Sequence, residues 1–124
     1  MQMQDKIVID DYIENDPLSE ENLDKTLETV NRFRLSLPNK SIWIYSGYTW
    51  NQVMNPVITD DFNPSRDELL RKRKEIVKQC DVMVDGRYID SQRDITLKWR
   101  GSKNQRVIDA KKSLEQNKIV LHCK

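Results

Sequence analysis

A chain of 124 residues with 37% hydrophobic content can supply one core and is too short for two, so the expectation is one domain over residues 1–124. Its 21 basic and 20 acidic residues leave a net charge of +1, which excludes a global field that would recruit nucleic acid or an anionic membrane. The longest apolar run is only a few residues, and the N-terminus lacks the charged, apolar, small order of a secretory signal, so the expected protein spans no membrane and is cytoplasmic.

In chain order, KIVID (6–10) is a β-branched run that predicts a first strand. SEENLDKTLETVNRFRLSL follows, with Leu23, Leu27 and Val30 at helical spacing. Ser19 is the expected N-cap, and Glu20 and Glu21 fall in the first turn, where carboxylates favour the helix dipole. LPNK ends that helix. SIWIYS (41–46), apolar on both faces, predicts a buried parallel strand, and GYTW turns the chain away at Gly47. NPVITDDFNPS reads as loop. Ser65-Arg66-Asp67-Glu68 has the capping-box pattern, and Leu69, Leu70, Ile76 and Val77 give the next helix an apolar stripe ending near Gln79. VMVD (82–85) predicts a third strand that stops at Gly86, and a short helix over 105–114 and a last strand KIVLH (118–122) follow. This alternation predicts the α/β class, a mostly parallel sheet with crossover helices and a core around Ile42, Ile44, Leu70, Val82 and Val84.

Few residues are equipped for metal chemistry. Cys80 and Cys123 lack C-x-x-C spacing and His122 is the only histidine, so no metal site is expected and Cys80 reads as a small buried hydrophobe. Gly47 and Gly86 each follow a predicted strand, at the edge where open parallel sheets bind ligands, and Gly101 lies in RDITLKWRGSKNQRVIDA (93–110). Glycine serves a positive φ or a close approach to the main chain, so these positions read equally as ligand edges or as plain turns. In the last stretch Arg100 and Arg106 have the chemistry to fork onto a carboxylate or phosphate, and Asn104 and Gln105 offer donors and acceptors. Trp43 reads as core, whereas for Trp50 and Trp99 packing and stacking on a purine both stand open. The run Arg71-Lys72-Arg73-Lys74 reads as a solvated helix face with no function assigned.

SIWIYSGYTW, CDVMVDGRY and LKWRGSKNQRVID, in this order, resemble the second half of the activating proteins of anaerobic ribonucleoside-triphosphate reductases, members of the radical S-adenosylmethionine superfamily. The likeness covers about residues 16–109, and W-R-G-S-x-N-Q-R is its most specific part. It implies a fragment of an incomplete (β/α) barrel. It also implies a [4Fe-4S] cluster on C-x-x-x-C-x-x-C, reductive cleavage of S-adenosylmethionine, and a 5′-deoxyadenosyl radical that takes hydrogen from a glycine of the reductase large subunit, the implied partner.

This chain departs from that pattern twice. It has no such cysteine motif, so the expectation is a truncated or split member with no cofactor of its own, no catalytic residue and no activity alone. It also reads ENDPL (14–18) where the family has G-G-D/E-P: Asp16 and Pro17 match, while Glu14 and Asn15 are expected to crowd the backbone where the cofactor would approach. The resemblance assigns cofactor binding to Asp16, Gly47, Tyr48, Asp85 and Gly86, and a partner or ligand loop to Trp99, Arg100, Gly101, Ser102, Asn104, Gln105 and Arg106. An uncovered sheet edge at KIVID is expected to invite self-association. Two alternatives stand beside this reading. One is a non-catalytic module that docks the reductase or a nucleotide; the other is a receiver-like, Mg²⁺-dependent phosphoryl-transfer domain using Asp10, Asp11 and Asp85.

Overall fold

Four strands, β1 (Lys6–Val8), β2 (Ser41–Ser46), β3 (Val82–Asp85) and β4 (Arg106–Asp109), lie side by side in the order 1-2-3-4 in a computed structural model that describes residues 6–58 and 61–122. β1 and β2 are parallel, with Ile7 opposite Ile42, and β2 and β3 are parallel, with Ile44 opposite Met83. Only β4 is antiparallel, placing Val107 opposite Val84. The two parallel pairs are joined across α1 (Leu23–Ser36) and α3 (Pro64–Lys78), as parallel neighbours require. The fold is therefore mixed α/β with a mostly parallel sheet.

The period-two alternation of each strand separates two apolar surfaces. Ile7, Ile42, Ile44, Met83 and Ile108 face a core completed by Leu23 and Val30 of α1 and by Ile76 and Val77 of α3. Trp43, Val82, Val84 and Val107 form a second cluster on the opposite face, where Trp99 and Tyr45 pack. Both helices lie on the first side and touch each other. The expected core residues thus divide between the two faces, and Leu70 is only half-buried while Leu69 packs against the core in its place.

Several helix ends differ from expectation. Ser19 precedes a single 3-10 turn, Glu20–Asn22, and does not cap α1; its hydroxyl donates to the Asp16 carbonyl at 2.8 Å. α3 starts at Pro64, one residue before Ser65, because the Asn63 side chain accepts the Arg66 N–H at 3.0 Å and proline needs no donor at the first helical position. A short helix, α2 (Trp50–Met54), was not expected. Thr49 and Gln52 close a reciprocal capping box around its first turn, at 3.1 and 2.8 Å.

The C-terminal assignments also change. The span 105–114 is not one helix: its β-branched pair Val107 and Ile108 joins β4, and only from Ala110 does α4 (Ala110–Gln116) form, capped by the Asp109 carboxylate on the Lys112 N–H at 2.9 Å. KIVLH is not a ladder strand. Asn117, at φ 54°, ends α4 and turns the chain back, so the segment meets β4 at a single bridge between Ile108 and Leu121, flanked by bonds from Asp109 N–H to Val120 O and from His122 N–H to Val107 O.

Candidate functional site

Because β1, β2 and β3 run the same way, their C-terminal ends share one edge of the sheet. Asp16 ties that edge together. Its Oδ1 accepts the Leu18 N–H at 2.9 Å and the Ser46 hydroxyl at 2.8 Å, and its Oδ2 accepts the Gly47 N–H at 2.7 Å. A Cβ on Gly47 would stand 3.4 Å from that same Oδ2, an ordinary contact, so Gly47 serves through its N–H more than through its lack of a side chain. Asn15 sits at φ 65°, a left-handed conformation that asparagine tolerates, so the backbone there takes a glycine-like shape despite the absent glycine.

Beside Asp16 opens a cleft of about 400 Å³ whose walls include Asp10, Asn15, Tyr45, Arg87 and Tyr88. Asp10 Oδ1 accepts the Tyr45 N–H at 2.8 Å. Burial, together with the neighbouring charges of Asp16 and Asp11, outweighs that bond and pushes the Asp10 carboxyl up to about 6. Sequence reasoning did not group Asp10 and Tyr45 with Asp16; the signal was there in their placement near the ends of KIVID and SIWIYS.

The W-R-G-S-K-N-Q-R stretch is a closed hydrogen-bonded staple. Gln105 Oε1 accepts the N–H groups of Gly101 and Ser102 at 2.9 and 3.1 Å, and its amide donates to Gly86 O at 3.0 Å. Asn104 donates to Arg87 O at 2.7 Å and accepts the Ser102 hydroxyl at 2.6 Å, while that hydroxyl receives the Ile89 N–H at 3.2 Å. Arg100 donates to Gln105 O at 2.6 Å. The loop is thereby sewn to the turn that follows β3, where Gly86 takes φ 96°, a conformation side-chain-bearing residues rarely adopt.

Arg106 and Asp85 occupy one another. Arg106 forks onto Asp85 through Nε at 3.1 Å and Nη2 at 2.6 Å, and Asp85 Oδ2 also accepts the Trp50 N–H at 2.7 Å, anchoring α2. Asp85 is 1% exposed and Arg106 about a third, and the carboxylate raises the arginine further above its usual range. Arg106 and Arg100 do not converge on a shared external anion; each is bound inside the chain. Tyr48 faces α3, its hydroxyl accepting from Arg73 at 3.1 Å and its ring lying 4.4 Å beneath that guanidinium.

Gly101 is not the residue that bends the loop. The positive φ belongs to Trp99, at 69°, whereas a Cβ on Gly101 would meet the Tyr88 ring at 3.1 Å. Trp99 packs edge-on against Trp43 at 5.3 Å between ring centroids, and the Lys6 ammonium lies 3.8 Å from the Trp99 ring and 4.2 Å from the Trp43 ring. Trp50 is buried in the main core, so packing decides between its two readings.

Cys80 does not suit the role of a cluster ligand. Cys80 is fully buried on the core side, donates to Ile76 O at 3.3 Å, and has its thiol pushed up to about 12 by burial first and by the neighbouring Asp81 charge. Cys123 lies outside the described residues, and the sequence holds no third cysteine. Among the described residues no group of three or more His, Cys, Asp or Glu could hold a metal ion, and Asp85, locked to Arg106, is not brought together with Asp10 and Asp11 for magnesium. No helix of the described residues is long and apolar enough to cross a membrane.

Comparison with known proteins adds a family. Residues 15–108 match the model of the 4Fe-4S single cluster domain. The anaerobic ribonucleoside-triphosphate reductase-activating protein of Escherichia coli K12 is 34% identical over 90 residues, 73% of this chain and 48% of that protein. Its namesake in Haemophilus influenzae is 33% identical over the same shares, and the one in Enterobacteria phage T4 is 29% identical over 94 residues, 74% of this chain and 47% of that protein. The chain spans about half the length of these curated relatives. No solved structure matches it.

Proposed function

The chain belongs to the 4Fe-4S single cluster domain family, and from that premise we propose that it serves the activation of an anaerobic ribonucleoside-triphosphate reductase without itself ligating the cluster. Its part in that reading is to present the strand-end cleft and the stapled loop to the reductase. The open four-stranded sheet is read as a piece of an incomplete (β/α) barrel, with the cleft at the C-terminal strand ends where α/β folds bind ligands.

The observation that supports this reading is the fastening of W-R-G-S-K-N-Q-R onto the turn after β3, with Gln105 in the cleft wall and Gly101, Ser102 and Asn104 hydrogen-bonded around it or to that turn. A rim held by its own hydrogen bonds binds with little ordering cost. The Asp10 carboxylate, the Asn15 amide and the Tyr45 and Tyr88 rings have the chemistry to fit a small cationic nucleoside such as S-adenosylmethionine, whose sulfonium is the source of the adenosyl radical in enzymes of this superfamily. Asp10 would supply the charge, Asn15 the amide, and Asp16 would hold the Gly47 turn in place. A four-iron cluster needs more thiolate ligands than the two cysteines of this sequence offer, so no electron-transfer step is assigned to it.

Two measurements test the proposal. Anaerobic reconstitution with iron and sulfide is expected to leave the chain colourless; a stoichiometric four-iron chromophore would overturn the cluster-free assignment. Pull-down with an anaerobic ribonucleotide reductase is expected to retain the chain, and failure to bind at micromolar concentrations would remove the docking role.

A further inference from the structure

The basic run on α3 separates residue by residue. Arg71 pairs with Glu68, Lys72 reaches Asp24 at 2.6 Å, and Arg73 donates to Leu18 O at 2.8 Å and to the Tyr48 hydroxyl. Lys74 makes no ion pair among the described residues, and neither does Lys78, one helical turn on, nor Lys118 beyond the end of α4. All three border one cleft of about 440 Å³ on the helical side of the sheet, between α2, α3 and α4.

No carboxylate lines that cleft. Three ammonium groups without an ion-pair partner thus border one hollow, and lysine is well suited to phosphate as a point charge. Beside them the wall carries the apolar side chains of Met54, Leu114 and Ile119 among the polar ones of Asn51, Asn55 and Asn117. A small inorganic ion would leave that wall in water, whereas a ligand with a flat apolar portion would cover it. The volume lies within the range of small-molecule sites.

We propose that this cleft binds a phosphate-bearing ligand with a flat apolar part, a nucleoside diphosphate being the simplest example, at a site distinct from the strand-end cleft. Lys74 and Lys78 meet the phosphates from α3, and Lys118 closes the opposite side. The inference does not rest on the reductase-activating role, because its test needs neither the reductase nor a cluster.

The experiment is calorimetric titration of the full chain with ADP, inorganic pyrophosphate and adenosine at low and at physiological salt. ADP is expected to bind saturably and to weaken with salt, pyrophosphate to bind at least several-fold more weakly, and adenosine to bind weakest. The double variant Lys74→Gln/Lys78→Gln is expected to lose at least tenfold in ADP affinity with an unchanged thermal melt, since neither ammonium holds a partner in the fold, while Lys25→Gln on α1 leaves affinity unchanged. Absence of saturable ADP binding, adenosine binding as tightly as ADP, pyrophosphate binding as tightly as ADP, or ADP affinity equal in wild type and double variant would each overturn the proposal.

Discussion

Replacing Arg106 with alanine tests the account of the W-R-G-S-K-N-Q-R loop most directly, because the structure turns a supposed ligand arginine into a structural one. Arg106 is the charged partner of Asp85, which is 1% exposed and would be left with the Trp50 N–H as its remaining hydrogen-bond donor. Breaking a fully buried pair costs about 3–5 kcal/mol because one charge stays buried without compensation. Arg106 is itself 35% exposed, so water can reach the vacated side and the expected loss is nearer 3 kcal/mol. For a chain of this length that is a drop of about 10 °C in melting temperature. The assay is urea denaturation of wild type, Arg106→Ala, Asp85→Asn and the double variant at pH 7. Asp85→Asn keeps an acceptor for Trp50 and removes the stranded charge, so the double variant is expected to be more stable than Arg106→Ala alone. A loss below about 0.5 kcal/mol in Arg106→Ala, the size of an exposed pair, would refute the reasoning.

Gly86→Ala is expected to cost about 1–2 kcal/mol because alanine must adopt φ 96°, whereas Gly101→Ala is expected to cost about 1 kcal/mol or less, since it only has to displace the half-exposed Tyr88 ring; denaturation midpoints compare the two. Asp10 carries a carboxyl raised to about 6 in the fold, so the native state binds the extra proton between the ordinary carboxylate range and pH 6, and stability falls as pH rises through that window. The loss is on the order of 2 kcal/mol, and Asp10→Asn, which keeps an acceptor for Tyr45, is expected to flatten the profile from pH 4 to 7 and to stabilise the chain at pH 8. In a Cys123→Ser background Cys80 is expected to resist thiol-labelling reagents until the chain unfolds; rapid labelling of the native protein would contradict its burial. β1 has a neighbour on one side only among the described residues, so sedimentation is expected to show concentration-dependent association, and a monomer over a wide concentration range would count against a reactive edge.

What the sequence determined by itself is local or compositional. The strands KIV, SIWIYS and VMVD, the helices with Leu23, Val30, Ile76 and Val77 inward, and the mostly parallel sheet follow from period and from the need of parallel neighbours for crossovers. The motif W-R-G-S-K-N-Q-R was legible as a shaped loop because its polar residues are hydrogen-bonding types, and its likeness to the activating proteins was legible with it. That the chain's two cysteines do not form a C-x-x-x-C-x-x-C run is also read from the sequence alone.

Tertiary structure decided where those polar groups point. Arg106 reads as a free fork until β3 and β4 are paired, when Asp85 falls opposite it in the ladder and accepts from its Nε and Nη2. The span 105–114 has helical spacing, but two β-branched residues beside an uncovered β3 gain more by completing the sheet than by starting a helix one turn early. Trp99, and not Gly101, carries the strained φ, because its ring packs on Trp43 and Lys6 across the second face of the sheet. The basic run on α3 illustrates the same division: its four charges look alike in sequence, and only the placement of Glu68, Asp24, Leu18 and Tyr48 around the helix leaves Lys74 turned toward a cleft without a carboxylate. Hydrogen bonds and ion pairs between residues far apart in the chain depend on which elements become neighbours, and no local pattern encodes that.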